Sequence, residues 1–156
     1  MPTPQDNVNR SILDEANAAG AWFHARKTRP IWVAMVEHDQ IVRTLEGEET
    51  VQAGHVLCRG EAGDIWPQTA EQLAKRYLAS GEVDSAGWRK YIPHPDAQGV
   101  WASIIPHRFT VVTSWGTLTG KAGDLLVKNF TNRDTPYPDD VWIVDAKLFA
   151  ATYETQ

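Results

Sequence analysis

Residues 31–59, IWVAMVEHDQIVRTLEGEETVQAGHVLCR, and residues 100–128, VWASIIPHRFTVVTSWGTLTGKAGDLLVK, align without a gap at an offset of 69. Nine of the 29 positions are identical: Trp32/Trp101, His38/His107, Val42/Val111, Thr44/Thr113, Gly47/Gly116, Thr50/Thr119, Ala53/Ala122, Gly54/Gly123 and Leu57/Leu126. Chance at ordinary composition gives about two. The match resumes at an offset of 76, where DIWPQTAEQLAKRY (64–77) faces DVWIVDAKLFAATY (140–153) with Asp64/Asp140, Trp66/Trp142, Ala70/Ala146, Ala74/Ala150 and Tyr77/Tyr153 identical. The second copy therefore carries seven more residues near NFTNRDTPYPD, whose Asn, Asp, Thr and Pro content marks a surface loop.

Each copy opens with β-branched and aromatic runs punctuated by glycine. IWVAMV, QIVRTL and HVLCR read as strands in the first, and VWASII, FTVVTSW and DLLVKNF in the second. Each closes on a short helix: Thr69 caps one with Gln72 at N3, and Asp145 caps the other. A unit of roughly 48 residues buries too little surface to stand alone, so the two copies are expected to share a core. The expected fold is α+β: two tandem β-rich, half-barrel-like repeats about a pseudo-two-fold axis, with residues 31–59 and 100–128 superposing. An N-terminal helix covers one side. The expected divisions are a tail and helix over 1–30, repeat one over 31–78, a connector over 79–99 and repeat two over 100–156. Residues 1–8 read as a disordered tail. Ser11 reads as the N-cap of a helix over 11–26, with Ile12, Ala16, Ala19 and Phe23 on one face.

One copy at a time, the chain resembles a family of small phage and prophage proteins related to those bearing a PGDYG motif. The residues that carry the resemblance are Arg26, Lys27 and Pro30 of RKTRPIWVAMV, TLEG (Thr44–Gly47), AGH (Ala53–His55), and then DIWP and LAKRY. In the second copy they are Gly123–Asp124 of KAGDLLV and LFAATYE. The departures are His55 in place of the motif's Asp, Trp115 in place of its Glu, and a second copy without the basic start. The resemblance implies a phage or bacterial origin and a small β-rich fold, and no particular activity.

The chain has 156 residues, 42% apolar and 22% charged, which is one globular domain's worth. Its net charge of −5 weighs against nucleic acid as a partner. No apolar run approaches membrane-spanning length, and MPTPQDNVNRS carries no secretory signal pattern. A single cysteine, Cys58, fits a reducing compartment, so a cytoplasmic protein is expected. Cys58 alternates with Val56 and reads as core.

No catalytic or cofactor motif survives inspection. GTLTGKAGD (116–124) has three residues between its glycines and Ala122 after Lys121, so it reads as two turns around a short strand and not as a phosphate loop. TSWG (113–116) lacks the leading glycine of a nucleophile elbow. The five histidines have no metal-binding spacing, so neither a metal nor a cofactor is expected. The leading expectation is a non-enzymatic module that binds a small polar ligand or a protein. The alternatives are a small hydrolase using Asp and His at the repeat junction, or a structural protein whose tryptophans make assembly contacts.

The candidate ligand-binding residues are the duplicated polar and aromatic ones: Asp64, Trp66 and His38, with partners Asp140, Trp142 and His107. Residues two apart in a strand share a face, so each Asp stands beside an indole, able to grip a polar ligand. The competing reading is a turn aspartate followed by a core tryptophan. For His38 and His107 it is a hairpin-end histidine bonding its own turn. Trp32, Trp101, Tyr77 and Tyr153 are expected in the core. Segments 88–96 and 129–135 are expected as irregular loops, one of them at the rim of a cleft between the copies. Arg26 and Lys27 either add positive charge there or face solvent.

Overall fold

The computed structural model describes residues 4–44 and 46–156. It is α+β, with mostly antiparallel strands. The order begins α1 (Pro4–Ala19), β1 (Phe23–Lys27), β2 (Ile31–Met35), β3 (Gln40–Arg43), β4 (Glu48–Val51), β5 (Val56–Gly60), β6 (Ile65–Gln68), α2 (Ala70–Arg76), β7 (Tyr77–Val83) and β8 (Arg89–Pro93). It continues β9 (Val100–Ile104), β10 (Phe109–Val112), β11 (Thr117–Gly120), β12 (Leu125–Asn129), a 3-10 turn (Phe130–Asn132), β13 (Val141–Val144), α3 (Ala146–Thr152) and β14 (Tyr153–Thr155). The bounds of β2 to β5 and of β9 to β12 differ throughout by 69, and those of β6 and α2 differ from β13 and α3 by 76.

Two open five-stranded sheets stand where half-barrels were expected. Their orders are β6-β5-β2-β8-β7 and β13-β12-β9-β1-β14, and each half adds a two-stranded hairpin, β3-β4 or β10-β11. The place that β8 fills in the first sheet is filled in the second by β1. Ala25 pairs with Val100 as Tyr91 pairs with Ile31, and Lys27 pairs with Tyr153 as Pro93 pairs with Tyr77. The segment 1–30 is therefore not a cover alone, because β1 is an inner strand of the second sheet. The segment 79–99 is likewise not a plain connector: most of β7 and all of β8 lie in it as a hairpin of the first sheet.

The N-terminal helix begins at Pro4 and ends at Ala19, seven residues before the expected bounds at each end, and Phe23 lies in β1. Proline is at ease in a first turn, where its missing N–H has no partner to lose. Gly20, at φ +63°, stops the helix and donates to the Ala16 and Asn17 carbonyls. Ser11 sits in mid-helix, so it caps nothing. Ile12, Leu13 and Ala16 pack on Phe109, Val111, Leu118 and Ile143. Asn9 clamps this helix to β10, donating to the Val112 carbonyl and accepting from the Val112 N–H, both at 2.8 Å.

The caps expected of the two short helices form. Thr69 and Gln72 close a capping box on α2, and Asp145 accepts from the N–H groups of Lys147 and Leu148 on α3. The stretch 116–124 is β11 followed by a turn, as read from its glycine spacing. Cys58 is fully buried with Ile31, Val33, Val56, Leu73 and Tyr77. Trp32 and Trp101 depart from expectation. They alternate with the buried Ile31, Val33, Val100 and Ala102, so their rings point to the other face and are only half-buried. Trp101 donates to the Phe130 carbonyl and stacks on the Phe130 ring. Tyr77 is buried and Tyr153 half-buried.

The halves meet through their hairpins. The Thr50 N–H donates to the Trp115 carbonyl and the Thr119 N–H to the Glu46 carbonyl, each at 2.7 Å. Gly47 and Gly116 let the backbones approach: a Cβ would come within 2.6 Å of the Thr117 oxygen at the first and 2.5 Å of the Glu48 oxygen at the second.

Candidate functional site

A cavity of about 530 Å³ opens between the two sheets. Strand alternation sets its walls. On β6, Trp66 shares a face with Asp64, which precedes the strand, and both line the cavity. On β13, Val141 and Ile143 are buried and Trp142 faces the cavity, following Asp140. Lys27 comes from the end of β1, Arg76 from the last turn of α2, and Tyr77 and Tyr153 from the first residues of β7 and β14.

Each tryptophan faces a cation delivered by the opposite half. The Lys27 ammonium lies 3.9 Å from the Trp66 ring centre and 5.5 Å from that of Tyr153. The Arg76 guanidinium lies 5.3 Å from the Trp142 centre. Such contacts stabilise the most when they are desolvated.

The two carboxylates differ in satisfaction. Asp140 accepts from the Asn129 amide at 3.0 Å, and the Asn129 carbonyl oxygen accepts from Arg76 at 2.7 Å. Asp64 Oδ1 is buried without a partner. At the offset of 69 the residue matching Asn129 is Gly60, and a Cβ there would collide with the Asp64 carboxyl. The donor that satisfies Asp140 thus has no counterpart beside Asp64. A buried, unsatisfied acceptor costs about 1–3 kcal/mol.

The ionisation of the walls is perturbed. Burial, joined by the nearby Arg76 and opposed by Asp64 and Cys58, brings the Lys27 pKa down to about 8. Burial, reinforced by Glu46, raises Glu49 to about 7. Burial also raises Glu46, whose Oε1 accepts from the Asp145 N–H at the start of α3. Tyr153 is pushed up to about 12, again by burial.

Compared with known proteins, the chain matches no family model, no curated protein and no solved structure.

Of the six candidate residues, Asp64, Trp66, Asp140 and Trp142 come together around the cavity, and His38 and His107 do not line it. Both histidines sit in turns after β2 and β9 and are exposed. His107 Nδ1 bonds the Arg108 carbonyl and its Nε2 bonds Glu15; these two contacts hold its pKa above the usual value. The turns after β2 and β9 that carry them contribute nothing to the cavity walls, unlike the β3-β4 and β10-β11 turns at the seam. Both expected loops contribute to the walls, through His94 and Asp96 on one side and Phe130 and Thr131 on the other, although residues 89–93 of the first are strand β8. Arg26 and Lys27 line the cavity as well. Arg76 and Glu49 were not singled out by the sequence, since Thr152 and Leu118 replace them at the matched positions. That mismatch is the signal that marks them: a charge standing where the other copy keeps an apolar or neutral residue. Among the described residues, no three His, Cys, Asp or Glu converge to hold a metal, and no helix is long and apolar enough to cross a membrane.

Proposed function

We propose that the protein is a binding module for a small polar ligand, held in the cavity between the two sheets. The observation that carries this reading is Asp64: a carboxylate oxygen buried without a partner, in a cavity that Asp140 and two cation-faced tryptophans also line. A concave site with aromatic walls and a few convergent polar groups is the usual form of a small-molecule pocket. A ligand N–H or O–H reaching Asp64 would supply the hydrogen bond that Asn129 gives to Asp140. The hydrolase alternative loses support with its histidines, which lie away from the cavity.

We also infer that the halves are tandem copies about a pseudo-two-fold axis. What supports this is the constant offset of element bounds, the common strand order, and the reciprocal bonds of Thr50 and Thr119 across the seam. A phage or bacterial origin remains a proposal resting on motifs.

The test is calorimetric and fluorescence screening of sugars, nucleotides and small organic acids against the full chain, Asp64→Ala and Asp140→Ala. Binding in the full chain that weakens at least about tenfold in Asp64→Ala is expected, the loss of one hydrogen bond to a charged group. Binding undiminished in both variants would place the site elsewhere.

A further inference from the structure

We propose that Lys27 captures carbonyl compounds: its ε-amine forms an imine with an aldehyde or ketone held in the cavity between the sheets. The inference rests on the reading of that cavity as a ligand site, and it names the class of ligand.

The geometry places the amine where such chemistry needs it. Lys27 lies at the end of β1 and lines the cavity, against the Trp66 ring and near Tyr153. Its ammonium makes no hydrogen bond or ion pair among the described residues and is held only against the Trp66 and Tyr153 rings. Every other charge that acts on it comes from the first half: Asp64 on the approach to β6, Cys58 on β5 and Arg76 on α2. A lysine in an apolar cage beside a second cation is the arrangement that turns an ammonium into a nucleophile. Its lowered pKa agrees, because at about 8 roughly 10% of the amine is neutral at pH 7, against about 0.03% at the ordinary 10.5.

The reaction balances without a redox partner. Lys27 first gives one proton to Asp64 or to water. The nitrogen lone pair then bonds to the carbonyl carbon, the C=O π pair moves onto oxygen, and that oxygen takes a proton from nitrogen to give a carbinolamine. The hydroxyl takes the first proton back and leaves as water while the nitrogen pair closes the C=N bond. The net change is ammonium plus carbonyl to iminium plus water. Position explains why this falls on Lys27 alone. The matched place in the first sheet is Pro93, which has no amine to offer.

The experiment uses the full chain with benzaldehyde, a neutral carbonyl, and glyoxylate, an anionic one, each trapped with sodium cyanoborohydride at pH 7 and mapped by peptide mass spectrometry. Lys27 should be modified at least about tenfold faster than Lys147, which is exposed and lies outside the cavity, by one or both probes, which allows for slower access than the neutral fraction alone implies. Its labelling should rise with pH to a midpoint near 8. In Asp64→Asn the midpoint should fall, because the carboxylate that holds the proton on is gone. Lys147→Met should leave the Lys27 adduct unchanged. Modification of Lys27 no faster than Lys147 with either probe would overturn the proposal, whether or not the Lys27→Met variant folds, since the map is made on the unaltered chain. The ligand screen above decides the cavity separately, so ligand binding without a Lys27 adduct ends the imine and leaves the site.

Discussion

Glu49 offers the sharpest test of the ionisation assigned to the cavity. Its carboxyl is almost wholly buried and makes no hydrogen bond or ion pair among the described residues. Burial and the neighbouring Glu46 raise its pKa from 4.5 to about 7. Between these two values the folded chain holds a proton that the unfolded chain has lost. The unfolded state then binds fewer protons, so stability falls as pH rises through that window. A tenfold change in proton affinity is worth about 1.4 kcal/mol, and a rise from 4.5 to about 7 therefore corresponds to a stability loss of about 3 kcal/mol between pH 4 and pH 8. The loss is absent below the unfolded value and complete above the folded one.

Substitution isolates the effect. The matched position in the second half is Leu118, which is buried without difficulty, so Glu49→Leu places an apolar side chain where the same fold already carries one. Glu49→Gln keeps the shape and removes the charge. Chemical denaturation in urea at pH 5, 6, 7 and 8 should give a falling stability for the natural sequence and a flatter curve for both variants. At pH 8 the variants should exceed it by up to about 3 kcal/mol, and at pH 5 the Gln variant should be nearly level with it. Parallel curves at all four pH values would mean that Glu49 titrates as an ordinary carboxylate, and the assignment would fall.

Lys27→Met should stabilise the protein by about 1–3 kcal/mol at pH 7. A lysine whose folded pKa is depressed to about 8 weakens the fold below that pH, and the natural sequence recovers stability between about 8 and 10.5; melting curves at pH 7 and pH 10 check both parts. Asn129→Ala should lower the melting temperature, as it strips Asp140 and Arg76 of their shared partner at a cost of about 1–3 kcal/mol. Trp32→Ala should cost about 1–2 kcal/mol and leave a folded protein by circular dichroism, below the 3–5 kcal/mol that a core tryptophan would imply. Gly47→Ala and Gly116→Ala should each cost about 2 kcal/mol or more by clashing with a backbone oxygen, and by similar amounts; strongly unequal losses in denaturant would contradict a two-fold contact between the hairpins.

Much of this architecture was legible because repetition fixes what composition leaves open. The constant offset delimited six strand segments and both short helices, and the duplicated Asp and Trp pointed to residues that line one cavity. Local patterns failed where a tertiary partner decided the outcome. Phe23 continues the apolar spacing of α1, yet Gly20 breaks the helix and β9 offers Phe23 and its neighbours a ladder of hydrogen bonds. The polar stretch 79–99 reads as a connector because its strand is half-exposed: Ser80, Glu82, Arg89 and Lys90 face water while Tyr91 pairs with Ile31. Trp32 and Trp101 read as core because aromatic content alone does not say which face of a strand is covered.

The asymmetry between the halves carries more functional information than their likeness. Identity preserved the frame of the cavity: an aspartate, a tryptophan and a closing tyrosine on each side. Three groups that the fold leaves strained stand where the two halves differ in sequence. Gly60 for Asn129 leaves Asp64 unsatisfied, Glu49 for Leu118 buries an acid, and Lys27 for Pro93 brings an amine across the seam. Each of these differences weakens the fold by the reasoning above, and all three fall on the same cavity. That these three meet on one concave surface supports the proposed ligand site over a reading of each as a separate flaw in packing.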